Sequence, residues 1–223
     1  LKTWLASCGT CCSNLMPLRV FRSLVDSRNV HTIRRDFVAI ASFIAIIWIV
    51  FVFDRFMPLE QYGLVPRSVR GLVGIFAMPF LHGDLSHILS NTVPLIVTLL
   101  LLAGSRANSS AIVVLITLLG GGGLWLFGRE ALHIGASGLV FGLIGFHIFS
   151  GIFERRFKSI AIALLVGGLY AGTLFNGVLP FQKGVSWDGH LIGAIAGALV
   201  ALITAKMMDD PKLQDSNQTP YRT

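Results

Sequence analysis

The sequence predicts an all-α membrane protein with six transmembrane helices, and three observations carry that reading. Of 223 residues, 54% are hydrophobic and only 13% are charged, whereas about a quarter of an average soluble domain is charged. Mean hydropathy is +0.74, so lipid is the natural solvent for the middle of the chain. Six separate windows are apolar enough to cross a bilayer, which takes about 20 residues, with a range of about 17–25. A soluble globular fold, a disordered chain, a collagen and a disulfide scaffold are excluded together.

Taken in order, residues 1–36 form a basic tail holding six of the 18 Lys and Arg: Lys2, Arg19, Arg22, Arg28, Arg34 and Arg35. No uninterrupted apolar stretch of the kind a signal peptide needs lies in residues 1–30, so a cytoplasmic tail is expected. The chain opens on Leu1, in keeping with a processed or truncated form. Cys8, Cys11 and Cys12 all lie here; three thiols can neither pair completely nor supply four zinc ligands. Reduced thiols are expected, with acylation or metal binding as the alternatives.

The first span is 37–53. The next apolar run, residues 71–81 (G-L-V-G-I-F-A-M-P-F-L), has eleven residues, ends around Pro79 and is too short to cross. The segment between the first two spans, with Tyr62, Pro66, Arg67 and Arg70, is therefore expected to be interfacial or re-entrant, which membranes tolerate only where protein or water covers the backbone. Spans two to six are 85–103, 111–127, 138–153, 159–179 and 189–205. The fourth is short unless its helix begins slightly earlier. Within the third, Gly120 to Gly123 precede no G-K-[ST], so close packing or a helix break is expected rather than a phosphate loop. Residues 37–205 make one membrane-embedded domain, and 206–223 a second tail.

Six spans put both ends on one side. Thirteen Lys and Arg fall on the side of the tails, Arg106 and the Arg155, Arg156, Lys158 cluster; five (Arg55, Arg67, Arg70, Arg129, Lys183) fall on the other. The positive-inside rule then makes both termini cytoplasmic, and reads the charge as topology rather than as a nucleic-acid stripe. Spans two, four and six consequently all start at the outer face.

Ionisable groups in spans default to functional hypotheses. Near the outer ends of the even spans stand His82, His87 and Asn91, then Ser137, then Asp188 and His190. His87 and Asn91 are four apart, on one helix face. Ser137 lies in I-G-A-S-G-L-V-F-G, between Gly135 and Gly138, at the mouth of a helix whose first N–H groups lack intrahelical partners. Gly189, Gly193 and Gly197 recur every four residues beside His190, and Gly138, Gly142 and Gly145 line span four; small residues at that spacing let helices pack backbone to backbone. If the two stripes meet, Ser137 and His190 come within hydrogen-bond range. A base that close makes a hydroxyl an effective nucleophile, which suits acyl transfer.

The H-x-x-x-N pair His87 and Asn91, the G-x-S-G of Gly135, Ser137 and Gly138, and the G-H-x-x-G-x-x-x-G of Gly189, His190, Gly193 and Gly197 resemble the rhomboid intramembrane serine proteases. The resemblance covers about residues 37–205. It implies a Ser137–His190 dyad, with Ser137 as nucleophile and His190 as general base. It also implies His87, Asn91 and the Ser137 N–H as oxyanion donors, with Gly135 in the same substrate-binding segment. His82 matches the first His of H-x-x-x-x-H, as a structural or gating residue, and is expected to line the substrate-binding polar cup with His87, Asn91 and His190. Many members carry Tyr four residues after the serine, where this chain has Phe141, and the Trp-Arg dipeptide that some carry after span one is absent.

Other readings of the same residues are weaker. Asp188 is two positions from His190, and residues two apart on a helix face away from each other, against a triad. His133 and Glu130 are expected to be solvated. His147 lies about 15 Å below Ser137 at 1.5 Å per residue, and is expected to bond between helices. No H-E-x-x-H marks a metalloprotease, the spans lack an aspartate pair, and no paired broken helices suggest a transporter. A non-catalytic, client-binding relative would have lost Ser or His, and both are present. The expected protein is an intramembrane serine endopeptidase of a bacterial inner membrane. It acts on transmembrane proteins within the lipid bilayer, with no nucleic acid partner and no metal or organic cofactor.

Overall fold

The structure, a computed structural model, describes residues 33–106, 108–180 and 184–209. The cysteine-bearing tail and most of the basic N-terminal residues lie outside the described residues, as does the chain after 209. Seven α-helices are present among the described residues: α1 (Ile33–Asp54), α2 (Gly71–Ala77), α3 (Leu85–Ser105), α4 (Ser109–Phe127), α5 (Ser137–Glu154), α6 (Phe157–Gly177) and α7 (Trp187–Asp209). All but α2 are long and apolar enough to span a membrane. The protein is an integral membrane protein built as an all-α bundle.

Local chemistry sets the boundaries. Asp84, extended at φ −149°, caps α3 by accepting from the His87 N–H at 2.8 Å, as short polar side chains do at helix starts. The fourth span begins at Ser137 itself, one residue earlier than its apolar window, and ends where Arg155 turns left-handed at φ 53°.

The segment after α1 folds without a spanning helix: two short 3-10 turns, Leu59–Tyr62 and Met78–Phe80, flank α2. Its backbone groups are met by protein. Asp54 accepts from the N–H groups of Leu59 (2.8 Å) and Glu60 (3.1 Å). Leu64 and His133 exchange both backbone hydrogen bonds, at 2.9 and 2.8 Å. Trp125 Nε1 donates to the Ser68 carbonyl at 2.8 Å, and the Arg67 guanidinium to the Gly128 carbonyl at 2.8 Å. Helix α2 closes on α4 where Gly121 leaves room for Ile75; a Cβ there would stand 2.9 Å from it. Gly120, Gly121 and Gly123 of the α4 glycine run thus pack against neighbouring helices, while Gly122 has open space.

Helix α5 is the bundle's axis. Buried residues fill 61% of its spanning window, against 11% for α1 and 6% for α6. Leu143, Ile144 and Phe146 are fully buried. Against α5 lies α7, main chain to main chain: a Cβ on Gly193 would overlap the Gly138 carbonyl, and one on Gly197 the Gly142 carbonyl. Halfway along α5, His147 Nε2 donates to the Thr98 carbonyl of α3 at 3.0 Å. At the end where α5 stops, Arg106 pairs with Glu154, whose side chain is 1% exposed, and Ser159 Oγ donates to the same carboxylate at 2.7 Å.

Candidate active site

The end of the bundle where α3, α5 and α7 begin holds a cavity of about 820 Å³. Its wall includes His87 and Asn91 from α3, Ser137 and Phe141 from α5, and His190 from α7. Three helices far apart in sequence thus present one polar chamber, and α6 completes it with Thr173, Asn176 and Gly177.

Ser137 is the first residue of α5, whose preceding residue, Ala136, supplies no side-chain cap. The N–H groups of this first turn have no carbonyl one turn back, so the helix start is left open toward the chamber. The two peptides before it are committed elsewhere: Gly135 N–H donates to the Met78 carbonyl at 2.9 Å, and Ala136 N–H to His82 Nε2 at 3.3 Å. Gly135 sits at φ +109°, and a Cβ there would stand 2.5 Å from His87 Nε2. Only glycine lets the imidazole come so near.

Asn91 Nδ2 donates one hydrogen to the His87 carbonyl at 2.7 Å, which fixes the amide and leaves its second hydrogen to the chamber. His82, expected in the lining, is not part of the chamber wall: it lies behind it, fully buried, with its ring 5.0 Å from that of His87 and edge-on to it. Burial first, and then the neighbouring His87, hold the His82 imidazole down to about 4, partly opposed by the Phe80 backbone. It is therefore neutral near pH 7, and its Nε2 is free to accept. Exposed Asp84 is held below the usual carboxylate range by hydrogen bonds from Ser86 and His87.

His190 is held on two sides. Its ring stacks on Phe141 with centroids 4.1 Å apart and planes 6° from parallel, and its Nδ1 lies 2.8 Å from the Gly177 carbonyl. A carbonyl can only accept, so Nδ1 carries the proton and Nε2 the lone pair. Among the described residues no hydrogen bond joins Ser137 to His190; the pair face one chamber without a closed contact.

Among the described residues Asp188 makes no hydrogen bond to His190. Its carboxylate accepts from the Arg129 N–H at 2.8 Å, pairs with the Arg129 guanidinium at 3.1 Å, and accepts from Ser186 Oγ at 3.3 Å. His133 corrects the expectation of a solvated residue. It is 2% exposed, with Nδ1 2.7 Å from Ser186 Oγ and Nε2 3.1 Å from the Arg129 carbonyl. The Leu64 bridge presses the loop inward and buries the ring. Glu130 does stay in solvent, its side chain 87% exposed. Sequence reasoning passed over Ser186 and Gly177: the first has a bland context, and the second acts through a main-chain atom that every residue has.

A sequence model of the family described as Rhomboid domain matches residues 69–207. An uncharacterized protein of Mycobacterium bovis and one of Mycobacterium tuberculosis are each 38% identical to this chain over 175 residues, covering 74% of it and 73% of the relative. An uncharacterized protein of Mycobacterium leprae is 35% identical over 178 residues, covering 74% of this chain and 70% of its own length.

Proposed function

The chain belongs to the rhomboid family, whose domain supports an intramembrane protease function, and from that premise we propose that Ser137 and His190 are its catalytic dyad. The observation that carries the reading is the convergence of Ser137, His190, His87 and Asn91, from three helices, on one chamber. Ser137 Oγ attacks the scissile carbonyl carbon while His190 Nε2 takes its proton. The resulting oxyanion is stabilised by the Ser137 N–H and by the His87 and Asn91 side chains, donors already oriented before reaction. Collapse of the intermediate breaks the C–N bond, and the departing amine takes the proton from Nε2. A water molecule then gives a proton to Nε2 and attacks the acyl ester; as the ester C–O bond breaks, Nε2 passes that proton to Ser137 Oγ, and the acid product departs with His190 neutral again.

A helical substrate hides its carbonyls in its own hydrogen bonds, so the scissile segment must be unwound before Ser137 reaches it. Transmembrane proteins with small residues at the cut and helix-weakening residues nearby are the fitting substrates. With both termini cytoplasmic, the chamber lies near the outer boundary of a bacterial plasma membrane and takes its water from outside.

The test is cleavage of a reporter transmembrane substrate in proteoliposomes by the natural protein, Ser137→Ala and His190→Ala. The natural protein cuts and both variants are silent. Cleavage by both variants at the natural rate would refute the dyad.

A further inference from the structure

Serine hydrolase sites with three members use a carboxylate to orient the histidine. Here the nearest carboxylate in sequence, Asp188, is engaged by Arg129 and Ser186. What does meet His190 is the end of α6. We propose that the Gly177 carbonyl is the positioning group of the general base, holding the proton of neutral His190 on Nδ1 so that Nε2 faces the reaction. The inference rests on the dyad reading above and names its third member.

Three observations support it. The Nδ1 to carbonyl distance is 2.8 Å, a full hydrogen bond. Gly177 is the last residue of α6, and carbonyls in the last turn lack intrahelical donors and carry the negative end of the helix dipole. That end favours the cation formed when His190 takes a proton, as a carboxylate would, without placing a formal charge in the membrane. The third is steric. A Cβ at 177 would overlap the Phe141 ring and stand 3.1 Å from His190 Nδ1, so a glycine is what allows carbonyl, imidazole and phenyl ring to close together. One face and one edge of His190 are then fixed by two different helices.

The proton bookkeeping is simple. Ser137 gives its proton to Nε2, the imidazolium keeps donating Nδ1–H to Gly177, and Nε2 passes its proton to the leaving amine. The Nδ1 proton never moves.

The test uses the full chain in lipid with 15N-labelled histidine, the His190 signals being identified by their loss in His190→Ala. In the natural protein His190 is the Nδ1–H tautomer. In Gly177→Ala the tautomer becomes mixed, and kcat falls by about 10-fold or more with KM within about two-fold, as misorientation of a reacting group predicts. Gly168→Ala adds the same methyl to the same helix where no atom lies within 4 Å, and leaves both readouts unchanged. An Nε2–H tautomer in the natural protein overturns the proposal, as does a natural kcat in Gly177→Ala. Should Gly177→Ala fail to fold, the tautomer in the natural protein decides alone. Cleavage by Ser137→Ala or His190→Ala sinks the dyad reading instead, a result that does not depend on Gly177.

Discussion

Gly135→Ala is the sharpest test of the oxyanion assignment, because it perturbs His87 without touching it. The new Cβ would stand 2.5 Å from His87 Nε2 and 2.7 Å from Cε1, where ordinary contact begins at 3.4 Å. The ring must retreat by about 1 Å, a displacement that costs about 10²-fold when a group must be aligned with a reacting centre. Loss of one oxyanion donor costs about 10²–10³-fold in kcat, or roughly 3–4 kcal/mol of transition-state stabilisation. The backbone adds strain, since φ of +109° lies where a side chain costs roughly 1–2 kcal/mol. In the proteoliposome assay kcat therefore falls about 10²-fold with KM little changed, and the melting temperature drops by a few degrees. His87→Ala falls by a similar factor, and the double variant is no slower than the worse single one, because both remove the same donor. Natural kcat in Gly135→Ala would refute the reasoning, and so would losses that multiply in the double variant.

Asp188→Asn removes the charge that anchors Arg129 to the start of α7, and should lower stability by about 1–3 kcal/mol, read as detergent-solubilised unfolding; an unchanged midpoint would make the ion pair irrelevant to docking. Gly197→Ala drives a methyl into the Gly142 carbonyl, and should cost about 1–3 kcal/mol or more as overpacking, with activity lost as α7 shifts; full activity would mean that the seam is softer than its geometry. His82 titrates about 4 when folded and near 6.5 when unfolded. The unfolded chain therefore binds the extra proton first as pH falls. The native state keeps its full stability above about 6.5 and loses up to about 3 kcal/mol on the way down to about pH 4. Unfolding measured from pH 7.5 to 4 should show a slope of that sign, His82→Gln should make it shallower, and an identical slope in both proteins would assign it to other groups.

The bundle was legible in the sequence because lipid imposes length and apolarity on every span, and both can be counted. The non-spanning segment after α1 was legible for the same reason: eleven apolar residues cannot cross. The clustering of Ser137, His190, His87 and Asn91 at one end followed from the parity of spans two, four and six alone. What stayed hidden depends on contacts between distant residues. His133 reads as solvated because it sits in a connecting loop, and the partners of its backbone and ring, Leu64, Ser186 and Arg129, are distant or unremarkable in the sequence. The Gly177 carbonyl has no residue type to announce it, and its role emerges only when α6 ends beside His190. The earlier start of α5, at Ser137, was legible only as a span too short to cross, because a serine heading a helix contributes nothing to apolar length.

The contact of α5 with α7, where Gly193 meets Gly138 and Gly197 meets Gly142, also bears on how such a chain can change over time. In an ordinary core a substitution is absorbed by neighbouring rotamers, and a second substitution can restore the fit. Where the neighbour is a peptide carbonyl there is no rotamer to turn and no partner to exchange. Mutational paths through this seam therefore meet a clash at the first step, while the exposed faces of α1 and α6, away from buried Ile47 and Val166 and from Gly177, accept almost any apolar side chain. Drift is channelled to the outside of the bundle, and the spacing between the two helices that carry Ser137 and His190 is the last thing in the molecule free to vary.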